Sequence, residues 1–375
     1  MNTRSGMRLA SLAAAATLAL GALAACGSSN DDGAGSGGSG GGGGSFDVGV
    51  ILPDTTTSVR WEQQDRPNLS KAFSDAGLKA DIQNADGDKA KFGSLCDQMI
   101  NEGVKVIIET DLDSPSGAAC ISKAKDAGVQ AIDYDRLTLG GGASYYVSFD
   151  NVKVGELMGQ GLEQCLTDEG KTKANIIFIN GQSTDNNATL FKQGYQQALQ
   201  PKFDSGDYKL VGDQSGEWDA TKAANAFDQL YTQNKGDIDG IISANDGMAQ
   251  GIIPRLKADG IAGKVPITGQ DATPEGLAAI LQGIQCGTVY KNTALEADAA
   301  SKLAIALING DTDTANSLAT GTVKDTTLNQ DVPSVLATPQ WITKDSVKQV
   351  VQDGQASASD ICKGIEKLCK QYGVQ

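Results

Sequence analysis

The chain contains no histidine. That removes Ser-His-Asp and Cys-His nucleophile systems, His-ligated zinc, and the side chain most used for proton transfer near neutral pH. Carboxylates can still run acid–base chemistry, but the enzyme classes open to the chain become few. Cations are scarce too: 31 Lys+Arg stand against 46 Asp+Glu, a formal charge of -15. A body this acidic repels nucleic acid and anionic lipid headgroups, and a polyanionic ligand would need a local basic pocket. No CxxC pair is present, which argues against metal binding by the cysteines; no metal and no cofactor are expected. Beyond the first 25 residues no apolar run is long enough to cross a membrane.

At the N-terminus one apolar run is present. Arg4 and Arg8 form a basic start, Leu9 to Leu23 an apolar stretch, and small residues lead into Cys26. This is the layout of an export signal, expected over residues 1–25. It resembles a bacterial lipoprotein signal, and the resemblance implies cleavage that leaves Cys26 as a lipid-bearing N-terminus. Gly27 to Ser45 is nearly all Gly, Ser, Asn and Asp. Such a segment cannot bury a core, so residues 26–45 are expected to be a lipid-anchored flexible linker. Without Arg4 and Arg8 the charge is 29 Lys+Arg against 46 Asp+Glu, or -17. The expected place of work is outside the cytoplasm, on the outer face of the cell membrane or in the periplasm, with attachment by lipid alone.

Six further cysteines, Cys96, Cys120, Cys165, Cys286, Cys362 and Cys369, form an even set in an exported chain and suggest disulfides. Connectivity stays open on sequence alone. The sequential set is favoured because Cys96 and Cys120 lie on consecutive candidate helices. Cys362 and Cys369 are too far apart along one straight helix and can pair only if the chain bends between them, near Gly364.

From Phe46 on, short β-rich runs alternate with longer amphipathic segments. Strands are expected at 47–52, 79–84, 104–109, 130–134, 145–148, 175–180, 209–212, 240–244, 265–268 and 288–290. Helices are expected at 89–101, 117–127, 152–166, 188–199, 220–234, 247–259, 274–281 and 295–307. Apolar runs bounded by Gly and Asp read as buried parallel strands, and this alternation gives an open α/β sheet with helices on both faces. It occurs twice, from Phe46 to about Phe149 and from about Asp150 to Val289, which predicts two similar lobes with a cleft between them. In such folds ligands sit beyond the carboxyl ends of the strands.

Those strand ends carry Arg60-Trp61, Asp135-Arg136, Asp185-Asn186-Asn187, Trp218, Asn245-Asp246, Gln270-Asp271 and Tyr290-Lys291. Taken singly, each has an ordinary role: helix cap for Asp185, Asp246 and Asp271, surface pair for Asp135–Arg136, core aromatic for Trp61 and Trp218, solvated lysine for Lys291. Together, Arg60, Arg136 and Lys291 balance Asp135, Asp185 and Asp271, with amides and two indoles added. A small anion would want a cationic excess. A neutral polyol suits the mixture, because each hydroxyl both donates and accepts.

The stretches "SVRWEQQDR", "AIDYDRL", "YYVSFDNVKVGEL", "STDNNATLFKQGY", "SANDGMAQG", "AGKVPITGQDAT", "TVYKNTALEA" and "DVPSVLATP" lie between about residues 48 and 340. By them the chain resembles the periplasmic xylose-binding proteins of ABC importers, within the ribose/galactose-binding group. The resemblance implies a type I periplasmic binding protein: two Rossmann-like lobes with parallel sheets joined by a three-crossing hinge. The crossings would fall near 149–151, 291–292 and 335–339. Lobe one would then comprise 46–149 plus 292–335, and lobe two 150–291 plus 336–375. It also implies that Arg60, Trp61, Asp135, Arg136, Asp185, Asn187, Trp218, Asn245, Asp271 and Lys291 hold a monosaccharide, xylose foremost. The implied partner is a membrane permease, and the implied state is a monomer without cofactor or catalysis. "GDQSGEWDA" is shorter than the family's pattern, with one tryptophan where two are expected, and "DICKGIEKLCKQYGVQ" extends beyond it. The alternatives are a sugar-sensing subunit for a membrane receptor and, less favoured, an extracellular glycosidase, which would also present carboxylates and aromatics.

Overall fold

The computed structural model describes residues 46–375. The expected leader 1–25, the lipidation site Cys26 and the linker 26–45 lie outside the described residues. Along the chain, β1 (Val48–Leu52) leads through a π-helical turn (Trp61–Asp65) directly into α1 (Arg66–Asp75). Then come β2 (Ala80–Asn84), α2 (Lys89–Asn101), β3 (Val106–Glu109), α3 (Ser114–Asp126), β4 (Gln130–Tyr134) and β5 (Tyr145–Phe149). The second series is α4 (Asn151–Asp168), β6 (Ala174–Asn180), α5 (Asn186–Asp204), β7 (Tyr208–Ser215), α6 (Ala220–Gln233), β8 (Gly240–Ser243), α7 (Asp246–Ala258), α8 (Pro274–Leu281) and β9 (Thr288–Tyr290). The chain finishes with α9 (Thr293–Ile308), α10 (Thr312–Leu318), β10 (Gly321–Asp325), β11 (Gln330–Ala337), β12 (Gln340–Ile342), α11 (Val347–Gln352), α12 (Ala358–Cys362) and α13 (Glu366–Tyr372).

Seven strands form one sheet in the order β10-β11-β5-β4-β3-β1-β2, parallel except for the β10–β11 pair. β6 pairs in parallel with both β7 and β8, and β9 pairs antiparallel with β12. The expected strand at 265–268 is reduced to single bridges. Ile241 pairs with Ile267 and Gln270 with Val289, so this segment joins β8 to β9 without forming a strand. Pro266 inside it supplies no amide donor, which limits how much ladder it can make. In both halves a central strand, β1 or β6, is flanked by its successors on either side, which makes a switch point with a crevice at the carboxyl ends.

Local signals fix the helix starts. Asp88, Asp113, Asp150, Asp185 and Asp219 cap α2 to α6, each side chain accepting from a first-turn amide, and Asn245, Thr273 and Asn292 do the same for α7 to α9. Asp246 is therefore not a cap; it lies inside α7, fully buried, accepting from Thr273 N and Gln285 Nε2. α4 and α5 pack face to face on glycines: a Cβ at Gly155 would lie 2.0 Å from the Phe191 carbonyl oxygen. That contact carries the start of α5 toward the strand ends. One apolar core surrounds β6 and β8, and a second lies between α1, α9 and strands β1, β3, β4 and β5.

The disulfides are Cys96–Cys120, Cys165–Cys286 and Cys362–Cys369, the sequential set. The last closes because α12 ends at Cys362, Gly364 turns at φ +79°, and α13 begins anew.

Candidate functional site

Seven segment ends converge on one cavity of about 30 Å³. That is small next to the roughly 300–1,000 Å³ of ligand pockets, so the walls stand close together around it. All ten residues expected there line it: Arg60, Trp61, Asp135, Arg136, Asp185, Asn187, Trp218, Asn245, Asp271 and Lys291. None is more than 6% exposed, which excludes the surface-pair reading of Asp135–Arg136 and the solvated reading of Lys291. Trp61 and Trp218 belong both to the apolar cores and to the cavity wall.

Arg60 precedes the π-helical turn, whose wider repeat brings Asp65 beneath it. Its Nε and Nη2 donate to the two Asp65 oxygens at 2.7 Å each, a forked pair. Nη1 donates to Asp135 Oδ2 at 2.6 Å and Nη2 also to Glu296 Oε2 at 2.7 Å. Burial alone would lower the Arg60 pKa, but Asp65, Asp135 and Glu296 together raise it. Asp135 is pushed up by burial and pulled further down by Lys291, Arg60 and Arg136, so it stays ionised. Burial pushes Glu296 up to about 8 against the pull of Arg60, so at neutral pH it is mostly a neutral acid. The charge balance read from the strand ends therefore holds for the wall and needs correcting behind it. Asp65, Asp111 and Glu296 add three buried carboxyls, all with pKa values raised chiefly by burial.

The two sets of strand ends meet across the cavity. Ser58 donates to Asp271 at 3.0 Å, Asn245 Nδ2 to the Thr57 carbonyl at 3.2 Å, and Asn187 Nδ2 to Asp135 Oδ1 at 3.0 Å. Lys291 Nζ lies 3.5 Å from both Asp135 and Asp271. Trp218 Nε1 donates to Asp185, whose second oxygen accepts from the Asn187 amide. The Arg60 guanidinium sits over Trp61, 4.5 Å from the ring centroid.

Polar atoms remain unpaired on this wall. Asp271 Oδ1, Gln270 Oε1 and Arg136 Nε are buried without a hydrogen-bond partner among the described residues, although Arg136 Nε lies 3.1 Å from Asp185 and Asp271 Oδ1 lies 3.5 Å from Lys291 Nζ. Buried polar atoms are normally satisfied, so two acceptors and a donor left open in one cavity point to a ligand that donates and accepts. Asp135, Trp218 and Asp271 also hold positive φ, 64°, 59° and 93°, a strain that clusters at functional sites.

Sequence reasoning missed Thr57, Ser58 and Phe191 on the wall, and named Gln270 at a strand end without placing it in the site. Phe191 lies one helical turn after Asn187 and was findable from that spacing; Gln270 adjoins Asp271. Asp65 and Glu296 gave no signal, because their partner Arg60 reaches them through folding. Among the described residues no group of three or more Cys, Asp or Glu is arranged to hold a metal ion, and no helix is long and apolar enough to cross a membrane.

Residues 48–312 match the family described as "Periplasmic binding protein domain". The D-xylose-binding periplasmic protein of Escherichia coli (strain K12) is 35% identical over 319 residues, 84% of this chain and 92% of that protein. A multiple sugar-binding periplasmic receptor of Rhizobium radiobacter is 32% identical over 335 residues, with 84% and 92% covered. Among solved structures, a carbohydrate transporter solute binding protein from Chloroflexus aurantiacus in complex with D-glucose superposes with a TM-score of 0.76 at 28% identity. The match covers 84% of this chain and 98% of that one.

Proposed function

The chain belongs to the periplasmic binding protein domain family and has its type I fold, and from that premise we propose that it is the sugar-binding subunit of an ABC importer, closing around one neutral monosaccharide. It is a binding protein, not an enzyme, as its relatives are. D-xylose is the first assignment. The observation that carries the sugar reading is the set of open polar atoms, Asp271 Oδ1, Gln270 Oε1 and Arg136 Nε, in a cavity walled by two indoles. Hydroxyls satisfy such a set without bringing net charge into a wall already balanced by three cations and three carboxylates. Charge-assisted bonds to Asp and Arg would fix orientation, and Trp61 or Trp218 would cover the apolar face of a pyranose.

Lobe one is assigned to 46–149 plus 292–335 and lobe two to 150–291 plus 336–375. The membership of β10 and β11 in the seven-stranded sheet supports this division. Contacts made by the ligand with both walls favour the closed state, which the permease would engage. The protein works outside the cytoplasm as a monomer, tethered through lipid on Cys26 by the 26–45 linker. The signal layout and composition of those residues support the anchor.

Calorimetry with xylose, ribose, arabinose, glucose and galactose tests the assignment. Tightest binding of xylose is expected. Comparable affinity for several sugars would replace it with a broad receptor, and binding of none would refute the sugar reading. Transport by the neighbouring permease and ATPase, if their genes are present, separates an importer from a sensor.

A further inference from the structure

The C-terminal segment makes a connection that the sugar contacts do not use. Gln64 lies in the π-helical turn that presents Arg60 and Trp61 to the cavity, and its Nε2 donates to the backbone carbonyl of Gln355 at 2.9 Å. Gln355 Oε1 accepts from Thr293 Oγ1 at 2.7 Å, and Thr293 Oγ1 accepts from Asn68 of α1 at 2.9 Å. Gln64, Gln355 and Thr293 are all at most 9% exposed, so these bonds are shielded from water.

The other side of the connection is rigid. Residues after β12 share one apolar cluster with α8 and β9, which includes Val347, Val350, Ile361 and Cys369 together with Ala272 and Tyr290. Ala272 adjoins Asp271 and Tyr290 adjoins Lys291. Tyr290 also donates to Asp353 at 3.1 Å, and the Cys362–Cys369 bridge staples the end of the segment. The segment thus moves with the wall that carries Asp271 and Lys291, while Gln64 moves with the wall that carries Arg60 and Trp61.

We propose that the Gln64–Gln355–Thr293 bridge is a closure latch, a set of positioning residues that hold the two walls together without touching the ligand. It forms when the walls meet and stabilises the closed state by a fixed increment whatever sugar is bound. The latch rests on the hinged closure in the sugar-receptor reading, but it can be read without sugar.

Because the acceptor on Gln355 is a backbone oxygen, the bridge is cut at Gln64→Leu, with Thr293→Val as a second cut from the other end. One buried hydrogen bond corresponds to about a five- to tenfold change in an equilibrium constant. Both variants are therefore expected to release xylose about five- to tenfold faster in stopped flow, with the association rate unchanged. Small-angle scattering of the ligand-free Gln64→Leu protein should give a larger radius of gyration than the unaltered protein. A wild-type release rate in both variants, or a lowered melting temperature with release unchanged, overturns the latch. Failure of the unaltered protein to bind any sugar refutes the receptor reading instead; equal ligand-free radii would then decide against the latch independently.

Discussion

Replacing Glu296 by glutamine isolates a buried carboxyl whose proton the rest of the cluster controls. Glu296 is fully buried; one oxygen accepts from Arg60 at 2.7 Å and the other has no partner among the described residues. Burial pushes its pKa up to about 8, Arg60 pulls it down, and Asp135 and Asp65 push it up. An unfolded glutamic acid titrates near pH ~4.3. Between these values the folded chain keeps a proton that the unfolded chain has released, so the unfolded state binds fewer protons. Stability from this group is complete below about 4.3 and falls as pH rises, by up to ~1.4 kcal/mol per pH unit, until it levels off above about 8. Glutamine has the shape of the protonated acid, can still accept from Arg60, and does not titrate. In urea unfolding followed from about pH 4 to about pH 9, the Glu296→Gln protein should match the parent at the acid end. At the alkaline end it should exceed the parent by a few kcal/mol. Sugar affinity at neutral pH should hold within about twofold, since Glu296 is not on the cavity wall. Parallel stability profiles for the two proteins would mean that Glu296 is ionised throughout, and the account of the buried charge would fail.

Other outcomes follow from the same geometry. Asp271→Asn keeps the size of the side chain and removes the charge between Ser58 and Lys291. Calorimetry should show affinity lowered about ten- to a hundredfold with the fold intact; unchanged affinity would remove Asp271 from the site. A Cβ at Gly181 would lie 2.0 Å from Trp218 Cζ2, so Gly181→Ala must displace the indole. Loss of sugar binding with unchanged far-ultraviolet dichroism is expected, and retained binding would show that Trp218 is not a contact. Opening Cys165–Cys286, 121 residues apart, should lower stability by ~5 kcal/mol in the chain-entropy account, against ~2.4 for Cys362–Cys369, 7 apart. Denaturation of the two Cys→Ser pairs that reversed this order would contradict that account.

The βα alternation was legible because its strands are apolar runs punctuated by Gly and Asp. Gln130–Tyr134, Lys89–Asn101, Pro274–Leu281 and Thr288–Tyr290 have the bounds expected of them. The misses have physical causes. α1 follows the π-helical turn in a polar stretch, "WEQQDRPNLSKAFSD", where apolar periodicity is weak. β10 and β11 are half exposed and carry Lys, Asp, Gln and Pro, so neither burial nor propensity marks them. α5 runs on past Leu199, where the expected helix ends, through Pro201 to Asp204. At the site, charged residues directly after strands were readable in position. Those that act from behind, Asp65 and Glu296, are brought to Arg60 by a rare helical turn and by α9, and spacing reveals neither.

The π-helical turn also restricts how descendants of this chain can change. One residue inserted within 61–64 would swing Asp65 around the axis by roughly 100°. A guanidinium would then be stranded in the interior without its forked counter-ion. Lengthening is thus forbidden at this point of the gene, although loops elsewhere can drift. New ligand preferences must arise by replacing side chains on the other strand ends, around an arginine that stays put.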